Sequence, residues 1–223
     1  MFGDLKRTWE AQAFTKSIVE DFLSMISESE TMLRYALKVI RNRGKGKKSV
    51  EKIYIRDKKI NITEQEIRKR ILVHIATNPG GNLPAAIALI SLSKDAERIG
   101  DLVKNVFELN GLITDENEIR QHFDLLFDTI GDELLEMFGM LTKAFQQSDT
   151  ELALSIAEQA RSISKRCEDI IEFVVKSDYT AAQAVVLTLG SRYLKRIALH
   201  LSNISTSIFL PLPEMDYIDK YKK

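Results

Sequence analysis

The chain has 223 residues, and Lys+Arg 32 balances Asp+Glu 32 to a formal net charge of zero. A hydrophobic fraction of 44% beside 29% charged residues can bury a core, which excludes global disorder, and the length allows one large domain or two small ones. The neutral balance leaves no chain-wide footprint for nucleic acid, and the single cysteine, Cys167, excludes a disulfide-stapled scaffold and a Cys-rich zinc module.

Six periodic blocks follow in chain order. The first, about Trp9 to Ile40, repeats Phe14, Ile18, Phe22, Met25/Ile26, Leu33, Leu37 and Ile40 at three- and four-residue steps, the pattern of one helix face. It stops at Arg41-Asn42-Arg43-Gly44-Lys45-Gly46-Lys47-Lys48, where two glycines and a charge run break the period. The second starts near Ile53, keeps a stripe of Ile60, Ile67, Ile71 and Ile75, and ends before Asn78-Pro79-Gly80-Gly81. Ile53-Tyr54-Ile55 has strand propensity but no visible partner strand, so it reads as helix or its lead-in.

The third block, about Leu83 to Leu109, places Ala85, Ala88, Leu89, Leu92, Ala96, Ile99, Val103, Val106 and Phe107 on one arc. Lys94, Glu97, Arg98, Asp101, Asn105 and Glu108 fall on the opposite arc. The fourth, about Glu116 to Gln147, has a bundle seam of Phe123, Phe127, Ile130, Leu134, Met137, Leu141 and Ala144. The fifth, about Thr150 to Lys176, carries Leu152, Ile156, Ala160, Ile163, Cys167, Ile170 and Val174. The sixth, about Thr180 to Phe209, carries Val186, Leu187, Leu194, Ile197, Leu201 and Ile204, and a polar tail after Pro211-Leu212-Pro213 reads as loosely held.

Only 10 Gly and 4 Pro serve this length, far too few turn markers for an all-β fold. The expectation is an all-α protein of two tandem three-helix bundles, residues 1–112 and 113–223. The N-terminus lacks the apolar core of a signal peptide, and no run approaches the eighteen or so apolar residues of a membrane span, so the reading is soluble and cytoplasmic. The third and sixth blocks superpose: Arg98-Ile99 and Asn105 recur as Arg196-Ile197 and Asn203 at one offset, which favours internal duplication.

Ala96-Glu97-Arg98-Ile99-Gly100-Asp101, followed by Lys104-Asn105-Val106, resembles the signature of the PhoU family of phosphate-signalling regulators. Asp57-Lys58-Lys59-Ile60-Asn61 resembles the start of the family's preceding helix, and Arg192-Tyr193-Leu194-Lys195-Arg196-Ile197 its second-half signature. The resemblance implies two similar three-helix bundles side by side, with Glu-x-x-x-Asp motifs that bind metal on the bundle surface. It also implies a non-enzymatic regulator that acts through a phosphate transporter or a sensor kinase. A dimer and peripheral membrane association through the partner complete that expectation. The second half departs from the pattern: Lys195 and Leu199 stand where the family has acids, and Ala160 and Ser164 fall near the positions matching Asp57 and Asn61. Any metal ion, whether Fe, Mn, Mg or Zn, is therefore expected on the first repeat alone.

Glu97 and Asp101, four apart on a helix, share one face and repel by a few tenths of a kcal/mol unless a positive group sits between them. Two readings stay open. A hard cation held by Glu97 and Asp101, with Asp57 as third ligand and Asn61 or water beyond, is one. A solvated pair neutralised by Lys94, Arg98 or Lys104 is the other. His74, His122 and His200 have no metal spacing; His122 reads as exposed and His200 as polar-facing, neither with a dyad partner. Cys167 lies in an apolar stripe and reads as a small buried hydrophobe.

Arg41, Arg43, Lys45, Lys47, Lys48 and Lys52 form a basic loop suited to a partner, phosphate groups or anionic headgroups, or simply a solvated hairpin tip; it lacks the context of a P-loop. Asn78 to Pro84 reads as an interhelical turn, with backbone N–H groups for an anion as the alternative. No Gly-x-Ser-x-Gly, His-Glu-x-x-His or Glu-x-x-His occurs. A metal-binding helical-bundle enzyme or storage protein, and a metal-free helical adaptor, are the competing classes.

Overall fold

The computed structural model describes residues 13–41, 50–78, 83–113, 119–210 and 214–215. Helices α1 (Ala13–Arg41), α2 (Val50–Thr77) and α3 (Leu83–Glu108) pack on one another. A short α4 (Arg120–Asp124) runs through a π-helical stretch (Leu125–Ile130) into α5 (Gly131–Gln147), and α5, α6 (Thr150–Val175) and α7 (Ala181–Thr206) form a second packed triplet. No strand occurs among the described residues. The all-α expectation holds, and Ile53-Tyr54-Ile55 is helix.

Boundaries follow from local chemistry. The Asp149 side chain caps α6 by accepting from the Leu152 amide at 2.9 Å, and Ser148 before it takes φ 54°, turning the chain out of α5. Thr180 and Gln183 form a reciprocal capping box at the start of α7. Each cap satisfies amides that the first helical turn leaves without partners.

The stripes read from sequence point inward. Ile18, Phe22, Leu33, Ile60, Ile67, Leu92, Ile99, Leu134, Met137, Ile156, Ile163, Leu194 and Leu201 are all buried in one continuous cluster that runs through both triplets. Across the middle, α3 lies against α7, and α1 against α5 and the π-helical stretch. Arg98-Ile99 and Arg196-Ile197 keep the same orientation: each isoleucine is buried and each arginine exposed.

The fourth block differs from the expected uninterrupted helix. A π-helical stretch interrupts it, with Leu126 and Phe127 both fully buried. Gly131 closes it: a Cβ there would sit 2.8 Å from Leu37 Cδ2, so a larger residue would make the Leu37 side chain shift. At the other end Met215 is buried against the core, so part of the tail is held down; residues 211–213 and 216–223 lie outside the described residues.

Candidate functional site

Helices α2 and α3 bring the first-half acids together. Asp57, on α2, is only 8% exposed, and one helical turn along lies Asn61. Lys104, one turn beyond Asp101 on α3, reaches between the helices. Its Nζ donates to Asp57 Oδ2 at 3.0 Å and to Asp101 Oδ1 at 2.7 Å. Lys94 Nζ donates to Glu97 Oε2 at 2.6 Å. The side chain of Asp101 is 45% exposed, whereas that of Glu97 is only 15% exposed, so the polar arc of α3 is half covered and not a free surface.

The electrostatics mark Asp57 as the strained member. Burial pushes its carboxyl above the ordinary value; Lys104 pulls it back, and Asp101 and Glu97 push it up again. Lys104 shows the complement: burial alone would lower its ammonium, but hydrogen bonds to Asp101 and Asp57 outweigh that and raise it. Two oxygens, Asp57 Oδ1 and Asn61 Oδ1, are buried without any hydrogen-bond partner. Orphaned buried acceptors are costly and call for a cation or donor. Oxygen donors of this kind suit a hard cation. In this conformation, however, no three His, Cys, Asp or Glu side chains among the described residues approach closely enough to hold a metal ion. The lysine ammonium occupies the cationic position between Asp57 and Asp101.

The matching positions of the second half carry no such cluster. Ala160 is buried, Leu199 is exposed, and Lys195 pairs with Glu168 on α6. That pair draws the Glu168 carboxyl below its usual range.

Several other residues sit differently from the sequence reading. Arg41 is not part of a free basic loop. It ends α1 and donates through Nε and Nη2 to the Phe127 carbonyl at 2.9 and 2.6 Å, with Asp128 and Asp132 as ion-pair partners at 2.9 Å. A π-helical register leaves carbonyls poorly matched to intrahelical donors, and a guanidinium is the donor fork that reaches them. Arg43, Lys45, Lys47 and Lys48 lie outside the described residues, as do residues 79–82 of the interhelical turn, and Lys52 is in α2.

His200 does not face solvent: it is buried between the triplets, with Nδ1 2.8 Å from Asp95 Oδ1 on α3. His122 is not exposed either. Its ring lies 4.3 Å from that of Phe173, its Nδ1 is 3.2 Å from the Tyr179 hydroxyl, and burial lowers its pKa. Cys167 is fully buried, and burial pushes its thiol up to about 12, which leaves it protonated and unreactive. The Asp95–His200 and Arg41–Phe127 contacts join residues 105 and 86 positions apart, beyond the reach of any spacing rule.

Comparison with known proteins bears on both halves. The family model of the PhoU domain matches residues 22–109 and again 127–208. A curated relative from Pseudomonas putida, named a phosphate-specific transport system accessory protein PhoU homolog, is 27% identical over 159 residues; the match spans 67% of this chain and 60% of that protein. The crystal structure of PhoU from Pseudomonas aeruginosa superposes with a TM-score of 0.74 at 20% identity, covering 88% of this chain and 95% of that one. A phosphate transport system regulatory protein PhoU from Streptococcus pneumoniae gives 0.74 at 19% identity, covering 86% and 92%. At these identities the two structures establish the shared fold. No helix among the described residues is long and apolar enough to cross a membrane.

Proposed function

The chain belongs to the PhoU family, and from that membership we propose that it is a non-catalytic regulator of phosphate uptake or signalling. It acts by contact with components of a phosphate transporter or with a sensor kinase, and meets the membrane only through that partner. The observation that carries this reading is the PhoU-domain match in both halves, alongside a curated relative named for a transport-system accessory role. The same double match supports reading 1–112 and 113–223 as copies of one three-helix unit. The polar groups of the core support recognition over chemistry: they are spent on joining helices, as in Arg41 to the π-helical carbonyls and Asp95 to His200.

The test is affinity capture of the tagged full chain from phosphate-rich and phosphate-starved cells. Transporter components or a sensor kinase should be recovered in amounts that change with supply. Recovery of neither, together with measurable phosphatase or oxidase turnover, would move the protein to the enzyme class.

A second reading is carried by the two orphaned oxygens, Asp57 Oδ1 and Asn61 Oδ1. A divalent or ferric ion (Fe, Mn, Mg or Zn) would be held on the first half by Asp57, Asn61, Glu97 and Asp101, and it would organise a docking surface. It would have to displace the Lys104 ammonium, which already neutralises two of these acids. Thermal melting with chelator and with added metal tests it. Metal should raise the midpoint of the parent and not that of Glu97→Gln/Asp101→Asn, because stabilisation requires the folded state to bind the ion better than the unfolded chain. Equal shifts in both would put the ion elsewhere.

A further inference from the structure

Near their joined ends, α1 and α2 open a cleft of about 270 Å³. Four cations line it: Arg34 and Lys38 from α1, Lys52 and Arg56 from α2. Within each helix the two are four residues apart, so each helix presents a pair of like charges on one face. Like-charged i,i+4 pairs repel. Two such pairs facing one cleft add to that repulsion, and an anion between them would relieve it.

The surrounding carboxylates neutralise the cleft only in part. Arg34 holds Glu30 at 2.9 Å, but both side chains are exposed enough that the pair contributes little and can be exchanged. Arg56 shares a single carboxylate, Glu28, with Lys59. Lys52 has no ion-pair partner among the described residues. Among the described residues no carboxylate lines the cleft itself. Its floor is apolar: Met32 and Ile53 are fully buried, and the Tyr35 ring lies against Phe107 at a centroid distance of 6.4 Å. The corresponding joint of the second half, between α5 and α6, has a different charge pattern in its sequence, with Lys143, Glu151 and Glu158.

We propose that this cleft binds a dianionic phosphoryl group, either free orthophosphate or the phosphate of a small monoester. Two guanidinium forks and two ammonium groups match three tetrahedrally disposed acceptor oxygens, and guanidinium recognises phosphate bidentately. A phosphoryl dianion brings about −1.5 to −2 charge to this cation-lined cleft. The apolar floor beside Tyr35 leaves room for the compact body of a monoester. The assignment stands on the cleft alone and is independent of the family reading.

Isothermal titration of the full chain at low salt tests it, with inorganic phosphate, AMP and succinate as separate titrants. Phosphate or AMP should bind, weakening as salt is raised, and Lys52→Glu and Arg34→Glu should each weaken binding about tenfold or more. Both positions are exposed and outside the core, and circular dichroism checks that each variant is folded. The reversal Glu151→Lys at the other joint should leave affinity unchanged. Equal binding of phosphate and AMP identifies free phosphate as sufficient, and binding of AMP alone identifies a monoester. Three results overturn the proposal: no binding of either probe, binding that neither charge reversal weakens, or succinate binding as tightly as phosphate.

Discussion

Where the first half carries Asp57, Asn61, Glu97 and Asp101, the second carries Ala160, Ser164, Lys195 and Leu199 on the same helical plan. The second half folds into an equally buried triplet without any of the four acids and amides, so the fold does not require them. In the first half one acid carries a penalty. Asp57 is buried, its carboxyl is pushed up, and one of its oxygens has no partner. The second half replaces this with one inter-helix pair, Lys195–Glu168. We propose that this polar cluster, which the sister unit does without, serves recognition and not folding.

The comparison presupposes that both halves share one core, and the largest effect should come from cutting it. Phe127 is fully buried at the junction, and a Cβ on Gly190 would meet its ring at 2.9 Å. Phe127→Ala should cost about 3–5 kcal/mol in urea unfolding. A cost under about 1 kcal/mol would mean the halves are stabilised separately. Next comes Arg41→Ala, which strips the π-helical carbonyls of their charged donor and should cost about 1.5–3 kcal/mol. Amide exchange should accelerate over 125–130, and unchanged exchange there would show the stretch to be held by other contacts.

Smaller effects separate a pair that stabilises from one that does not. Burial alone would raise the Glu28 carboxyl, but hydrogen bonds from Lys59 and Arg56 outweigh it and leave it below its ordinary value of 4.5. A depressed carboxylate contributes stability above its unfolded value, lost as pH falls through the folded one. Glu28→Gln should therefore be less stable than the parent at pH 7, with the gap closing as pH falls below about 4.5. Asp57 has the opposite sign. Its folded value lies above its ordinary 3.8, so its contribution is lost as pH rises through that folded value, and the ionised form costs stability at neutral pH. Relative to the parent, Asp57→Asn should fare better at pH 7 than at pH 3, by a small margin, as read from melting midpoints. A relative loss on going from pH 3 to pH 7 would make Asp57 a structural partner of Lys104.

Much of the fold was legible because bundle packing writes itself as a period: every seam residue from Phe123 to Ala144 is buried, and the blocks end within a few residues of the helices. The acidic site was legible as local spacing, and Lys104 was visible as a neutralising group because it lies one turn from Asp101. What spacing cannot carry is contact between distant helices. His200 reads as polar-facing on its own helix and becomes buried only because α3 brings Asp95 to it. Arg41 reads as the first residue of a charge run, and only the packing of α1 on the π-helical stretch brings its guanidinium to the Phe127 carbonyl. The π turn itself leaves the seam steps of Phe127 and Ile130 unchanged, so periodicity alone could not reveal it.

The measurement closest to the central claim is phosphate uptake in cells lacking this protein, restored with the parent chain or with variants of one half at a time. Each variant is first shown by circular dichroism and melting to be folded. Glu97→Gln/Asp101→Asn in the first half should fail to restore phosphate-responsive uptake, while Lys195→Gln/Leu199→Ala in the second should restore it as the parent does. Regulation that survives loss of the first-half acids, or that is lost with the second-half pair, would contradict the assignment of recognition to the first half.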